Sequence, residues 1–549
     1  MFRRHTGRVR DRPIRLAVGV IACLLLSAFL PTSRSGEAVE GVSPARSPWP
    51  MYRGDVRRTG RSEQVGPKTS RLRWIFSTGR AEKDGGIETD PVIGQDGSVY
   101  LGANNGIFYA LDPESGGVRW AFPTRFDTFA LYSTPYVDRQ GIVYFGAKDG
   151  SVYALRAPRQ GIMGEVVWSI TLGPTIETSP AFTPDGTLVI GADDWAYYGI
   201  TPPRAGKGPE VKWRFQTQGT LITSPAIDAE GTVYVASMDG KVYALEPPRE
   251  AGQPVRVRWS FSSGARDEKG GFENAPVIDA DGTLYIGGND GKLYALDTRS
   301  GQLKWSFDAV ARSGYRTYAI FSSVALGPDR TAYFGGKNGW LYAVRETRGI
   351  ISSGPQAVWS YKLGPGIQSS PLLAADGTSY LGDEHGTLHA IRPPASGDAG
   401  TLLWQFGTKG TIFSSAALGA DGTLYSASMD GKAYAFHDTK TARAPDPASL
   451  SRTWYGQFRI GSKEDQVTAV LVQTGTEVAG ILRLKSGLRG PFEGRVQGNQ
   501  GTFRATLGEP ECVIRLSGTA AAAPSAIQGR FQGQDCRGRP LQGTFKLVP

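Results

Sequence analysis

The chain has 549 residues, a formal net charge of +10, 73 glycines and only 4 histidines. A length of this order admits several ordinary domains unless the chain repeats, and abundant glycine with recurring Asp-Gly and Asn-Gly turns reads as all-β rather than helical. Six arginines and Asp11 before residue 31 carry +5 of the charge; the remainder is a mildly basic surface, with no argument for nucleic acid.

Those arginines form the first predicted element. Arg3, Arg4, Arg8, Arg10, Arg12 and Arg15 precede the apolar run "LAVGVIACLLLSAFL", Leu16 to Leu30. A basic stretch before a short apolar run is expected to be a secretory signal peptide over residues 1–35, cleaved after Ser35. The run is short for a membrane span, so no span is expected in the mature chain. "VIAC", ending at Cys23, loosely resembles a lipoprotein box. The apolar run continues beyond it, and lipid anchoring at Cys23 is not expected. The chain is therefore expected to be exported, to the periplasm or cell surface. Residues 36–70 follow as an N-terminal lead-in segment.

Residues 71–436 repeat. Tryptophans fall at Trp74, Trp120, Trp168, Trp213, Trp259, Trp305, Trp359 and Trp404. Between them recurs a small-polar-Pro start, an apolar pair, a turn, a "GTVYVG"-like strand, a second turn and a "GKVYAL"-like strand, as in "TSPAIDAEGTVYVASMDGKVYAL". Four short strands in each such unit are the pattern of a β-propeller blade. Eight Trp strands and eight "SPAI"-type strands predict an eight-bladed β-propeller, the last blade being completed by the N-terminal strand "RLRWIFS". Closure of that kind removes open sheet edges.

The repeat also has a longer period. Trp74 to Trp259 and Trp120 to Trp305 are each 185 residues; Trp168 to Trp359 and Trp213 to Trp404 are each 191. The hairpin "GTVYVASMDGKVYAL" from Gly231 returns as "GTLYSASMDGKAYAF" from Gly422. Blades four apart in a ring of eight face each other, so a duplicated four-blade half predicts a pseudo-twofold ring.

"ALDPESGGVRW", Ala110 to Trp120, "ALDTRSGQLKW", Ala295 to Trp305, and the opening "WPMYRGDVRRTG" from Trp49 resemble the tryptophan-docking repeat of pyrroloquinoline-quinone-like (quinoprotein-type) propellers. The resemblance covers roughly residues 48 to 440. It implies structural indoles on the outer strands, packed between blades. It leaves function open, because the family holds quinoprotein dehydrogenases and non-catalytic members alike, among them the propeller subunit of the outer-membrane β-barrel assembly machinery. The catalytic members imply a tryptophan beneath the cofactor, often adjacent cysteines, a carboxylate base and calcium. Here no tryptophan lies on an inner strand and no two cysteines are adjacent.

Inner strands line a propeller channel, so their first residues are candidate ligand positions. In chain order these are Glu88, Tyr132, Glu177, Ile222, Glu273, Phe321, Gln368 and Phe413, followed by the small polar series Thr89, Ser133, Thr178, Thr223, Asn274, Ser322, Ser369 and Ser414. Glu88, Glu177 and Glu273 could hold a cation, and Tyr132 and Phe321 could grip a ligand; the competing reading is a solvated channel mouth within the repeat consensus. The longer Trp-to-inner-strand loops contain Arg125, Phe126, Phe129, Tyr315, Arg316 and Tyr318, an aromatic and arginine composition that suits an interaction surface. His385 and His389 sit across a turn and strand, where their spacing does not converge on a metal. No metal site and no catalytic residue is expected.

A linker, residues 437–452, leads to a small β-domain, residues 453–549. About eight short alternating strands there suggest an antiparallel meander or closed barrel. With the signal removed, Cys512 and Cys536 are the remaining cysteines. An even pair in an exported chain is expected to form a disulfide. The sequence thus points to an exported, non-catalytic propeller that serves as a binding or assembly scaffold for another envelope protein, without a cofactor. The alternative is a quinone- or calcium-dependent oxidoreductase that uses the channel, with pyrroloquinoline quinone and Ca2+.

Overall fold

Alternating strands about a left-handed glycine turn fold as hairpins, and the repeat does so in seven of its eight blades. In the hairpin after Gly231, strands Val233–Ala236 and Lys241–Glu246 pair antiparallel with Tyr234 opposite Ala244, and Gly240 turns the chain at φ 80°. An inner strand, Ala226–Ile227, and an outer strand, Arg256–Ser262, complete the sheet. The computed structural model describes residues 42–78, 85–124, 130–204, 207–264, 270–309, 319–348, 353–440 and 452–548, apart from positions 461, 487, 510, 511, 524 and 536.

Among the described residues, eight four-stranded sheets of this kind occur. Blade 1 starts at Val92–Ile93, and blade 8 joins Ala417–Leu418, Leu424–Ser428 and Lys432–Phe436 to the N-terminal strand Leu72–Ser77. Ile75 stands opposite Tyr434 and Phe76 opposite Ala433. The all-β, eight-bladed propeller is therefore closed by pairing the two ends of the repeat region.

The outer-strand tryptophans are all buried. Four of them lie against glycines of the following blade. A Cβ would come within 2.7 Å of Trp74 at Gly116, 2.8 Å of Trp120 at Gly164, 2.6 Å of Trp259 at Gly301 and 2.8 Å of Trp359 at Gly400. These glycines allow the close approach that any side chain would block. Trp74 Nε1 also donates to the Pro113 carbonyl (2.9 Å) and Trp259 Nε1 to that of Thr298 (2.8 Å). Trp404 of blade 7 instead donates to Pro67 of the lead-in (2.9 Å), which here replaces a loop of the next blade.

The lead-in does more. Inner-strand N–H groups donate to its carbonyls in order around the ring: Ile93 to Trp49, Val137 to Pro50, Ile227 to Val56, Ile278 to Arg57, Leu326 to Thr59 and Leu373 to Gly60. The fully buried Arg58 donates to the carbonyls of Pro225 (2.9 Å) and Pro180 (3.1 Å), in blades 4 and 3. Arg53, equally buried, donates to Val324 (3.1 Å) and Pro371 (2.7 Å), in blades 6 and 7. Burial lowers the pKa of Arg58 to about 10, which still leaves it charged at neutral pH. The segment thus crosses one end of the channel and ties seven blades together.

Residues 452–548 form a closed barrel of eight antiparallel strands, the first, Arg452–Ile460, pairing with the last, Pro540–Val548. Phe458 stacks on Phe531 at 4.3 Å and Phe503 meets Phe545 edge-on at 5.0 Å, each pair on non-adjacent strands. Glycines face these rings, as Gly543 does Phe531 and Gly518 does Phe503. The space lined by Leu471, Phe492 and Phe503 measures about 20 Å³, room for about one water, so this interior is filled by side chains. The expected disulfide involves Cys536 and the side chain of Cys512, which lie outside the described residues.

The barrel packs on blade 1. Val470 and Ile481 join the cluster that contains Phe76, Ile107 and Tyr109. The buried Arg483 donates to the Asn105 carbonyl (2.7 Å) and Arg489 to that of Pro123 (2.7 Å). Tyr455 Oη donates to the Thr78 carbonyl.

Candidate functional site

Each inner strand runs from the channel mouth toward the lead-in, and its successive residues have different tasks. The first points to the mouth. The second turns into its own blade. Thr89 is bonded to Gly102, Ser133 to Gly146, Thr178 to Gly191, Asn274 to Gly287, Ser322 to Gly335 and Ser369 to Gly382. The small polar series is therefore buried and satisfied within the blades, and is not a ligand surface.

The third residue links the blades. The N–H of Asp90 donates to Thr134 Oγ1 (2.9 Å), that of Thr134 to Ser179 Oγ (3.0 Å) and that of Ser179 to Ser224 Oγ (2.9 Å). The series resumes from Ala275 to Ser323 (3.0 Å), Ser323 to Ser370 (2.9 Å) and Ser370 to Ser415 (3.2 Å). Ser415 N–H closes it on Asp90 Oδ1 at 2.7 Å. Blade 5 has Ala275 where the others carry an oxygen, and the series is interrupted there. Asp90 is buried, and its other oxygen has no hydrogen-bond partner among the described residues. Burial, opposed by the Ser415 N–H and the charge of Arg53, pushes its pKa up to about 7.

At the mouth the predicted residues meet a second ring: the first residue of each hairpin turn between second and third strands. Glu88 accepts from Asn104 (2.9 Å), which also approaches Met429 Sδ at 3.9 Å. Glu273 accepts from Asn289 (2.8 Å), which approaches Met238 Sδ at 3.9 Å. Lys148 pairs with Glu177 at 2.8 Å and lies 4.0 Å from the Tyr132 ring centroid. Lys337 pairs with Glu384 and lies 5.5 Å from Phe321, while Gln368 donates to Glu384 at 2.5 Å. The two halves thus repeat across the axis, with cation–aromatic contacts in each.

Electrostatics follow the pairing. Partial burial raises the pKa of Glu88, against the Asn104 hydrogen bond and the Lys148 charge. Lys148 is held above its ordinary value because Glu177 outweighs partial burial. Burial alone would raise Glu384, but Lys337 and Gln368 pull it below the usual carboxylate range. Glu88, Tyr132 and Glu177 come together around Lys148; Phe321 and Gln368 come together around Lys337 and Glu384; Glu273 stands with Asn289. The turn residues were not singled out from sequence. Their signal was their constant place, two residues before the turn glycine. Arg125, Phe126, Phe129, Tyr315, Arg316 and Tyr318 lie outside the described residues. His389 is buried against Asp383 (2.8 Å) and belongs to no metal cluster among the described residues.

A quinone–calcium centre does not fit this donor set. The described tryptophans lie on outer strands, in the lead-in, at a turn (Trp195), at the start of a third strand (Trp340) and in the barrel, so no inner-strand indole offers a stacking platform. The mouth carboxylates Glu88, Glu177, Glu273 and Glu384 are each engaged by an Asn, Gln or Lys of the same ring. Among the described residues no three His, Cys, Asp or Glu side chains converge on a common point.

A family model described as outer membrane protein assembly factor BamB matches residues 148–396. No curated protein sequence matches significantly. The quinohemoprotein alcohol dehydrogenase of Comamonas testosteroni is 16% identical, over 72% of this chain and 81% of its own, with a TM-score of 0.55. Sqt1 of Saccharomyces cerevisiae is 10% identical, over 67% and 99%, with a TM-score of 0.54. BamB of Moraxella catarrhalis is 17% identical, over 66% and 99%, with a TM-score of 0.49. At these identities the structural likeness is one of fold. With its tryptophan repeats and closed ring of eight blades, the chain is a β-propeller repeat protein, similar over residues 148–396 to the family of that model.

Proposed function

We propose that this chain is an exported, non-catalytic scaffold that binds another protein of the cell envelope. The observation that carries the reading is the internal pairing of the channel mouth. Lys148 and Lys337 pair with Glu177 and Glu384, and Asn104 and Asn289 hold Glu88 and Glu273, in two repeated sets, whereas a catalytic centre holds titratable groups available to substrate. The lead-in across the opposite end, and the barrel fixed to blade 1, fit a rigid platform. Export rests on the arginine-rich, apolar N-terminus, and the BamB-type family match supports an envelope partner. The loops with Phe126 and Tyr315 belong to the proposed contact face, since recognition residues gather on loops held by a rigid frame. No helix among the described residues is long and apolar enough to cross a membrane.

The test is capture. The mature chain, immobilised and exposed to envelope extract, should retain a defined partner at stoichiometric yield. The same preparation, incubated with pyrroloquinoline quinone and Ca2+, should not oxidise alcohols with a dye acceptor. Dye-linked oxidation without a captured protein would reverse the assignment.

A further inference from the structure

The two halves of the propeller match closely around the mouth, and blade 3 breaks the match. In seven blades the residue at the tip of the mouth-side hairpin is glycine with positive φ: Gly106, Gly150, Gly240, Gly291, Gly339, Gly386 and Gly431, at φ 70–82°. Blade 3 has Trp195 there, at φ 63°. A bulky residue is strained in that region, whereas glycine is not. The surroundings hold it in place. The Trp195 carbonyl accepts from Thr217 N (2.8 Å), Thr217 Oγ1 (2.8 Å) and Gln216 Nε2 (3.1 Å). Yet the side chain is 47% exposed. Strain retained for an exposed aromatic points to a contact outside the chain.

Charge departs from symmetry at the same place. Glu384 of blade 7 is engaged by Lys337 and Gln368. Its counterpart Asp193, two residues before Trp195, has no ion pair among the described residues, because Lys148 is taken by Glu177. Asp193 is exposed, and partial burial with the neighbouring Glu177 charge raises its pKa. An exposed indole and an unpaired carboxylate two residues apart suit one kind of group: a guanidinium, which stacks on the ring and forks onto the acid.

Blade 1 shows what this tip can receive. The barrel's Arg483 seats on the equivalent turn, with Nη1 donating to the Asn105 carbonyl and lying 2.3 Å from where a Cβ on Gly106 would be. One mouth-side tip, that of blade 1, thus already receives an arginine of this chain.

We infer that Trp195 and Asp193 form a docking point for an arginine of a partner protein. This rests on the scaffold reading and gives it a partner chemistry. The test uses the mature chain labelled with 5-fluorotryptophan, the Trp195 resonance being assigned with Trp195→Gly. The peptide acetyl-Ser-Arg-Gly-Arg-Ser-amide should shift that resonance on titration, and its Glu counterpart should not. Asp193→Asn should weaken the arginine response at least threefold. Trp195→Gly should melt no lower than wild type, since glycine suits the turn. A resonance unmoved by the arginine peptide, or moved equally by both peptides, overturns the proposal, as does a response unchanged in Asp193→Asn. So does partner capture that survives Trp195→Gly, an outcome that leaves the scaffold reading standing; loss of all capture by the wild-type chain would instead sink that reading.

Discussion

At the scale of single residues, offset along the inner strand decides role. Sequence reasoning picked out the mouth series from Glu88 to Phe413 and the small polar series after it, and saw neither the ring one residue further on nor its exception. Thr89 and Thr134 look alike as letters. Only the fold shows that one bonds within its blade and the other accepts from the blade before. Asp90 stands where six other blades use Ser or Thr, at the seam where blade 8 meets blade 1. Its pKa is raised from 3.8 to about 7, chiefly by burial. The folded state therefore binds the proton more tightly than the unfolded state. Stability from this group is complete below about pH 4 and is lost as pH rises toward 7, with no further change above it. Asp90→Ser restores the repeat's hydroxyl and removes the dependence. The melting temperature of wild type relative to Asp90→Ser should fall between pH 4.5 and 7.5. A difference that is flat across that range would show that Asp90 does not titrate there.

At the scale of elements, the tryptophan spacing made the blades legible, because an indole recurs on every outer strand and is buried there. Trp120 packs against Tyr100 and Phe108, with ring centroids 5.7 and 5.8 Å away, and Trp305 against Tyr285 at 5.7 Å. Replacing either by alanine should destabilise the chain by about 3–5 kcal/mol, as large buried truncations do, measured by denaturant unfolding. A change below about 1 kcal/mol in both would remove the docking role from these indoles. The lead-in was legible only as a motif. Its twelve-residue core reaches inner strands that lie up to some 300 residues away in sequence, and nothing in local pattern encodes such contacts. The arginines that look like surface charge in "MYRGDVRRTG" include two of the most buried side chains in the molecule, Arg53 and Arg58. They are stabilised there because backbone carbonyls at the inner edge of the ring lack other donors.

At the scale of the whole molecule, duplication explains both the symmetry of the mouth and the places where it fails. The 185- and 191-residue offsets return as spatial counterparts, Asn104 with Asn289 and Met238 with Met429, and Lys148 matches Lys337 at an offset of 189. The barrel lies outside that symmetry and is held by polar contacts that no pattern in its strands revealed. Protease nicking within residues 441–451 should leave the wild-type fragments together on gel filtration. In Arg483→Ala with Arg489→Ala the barrel should separate. Fragments that part in the wild type would show that the barrel is only tethered.

The central claim is that the channel mouth is part of a binding platform, not a quinone site. The most direct measurement is equilibrium dialysis of the mature chain against pyrroloquinoline quinone with Ca2+, followed by the absorbance retained with the protein and by dye-linked alcohol oxidation. The account predicts no stoichiometric retention and no oxidation above a protein-free control; one quinone retained per chain, with alcohol-dependent dye reduction, would contradict it.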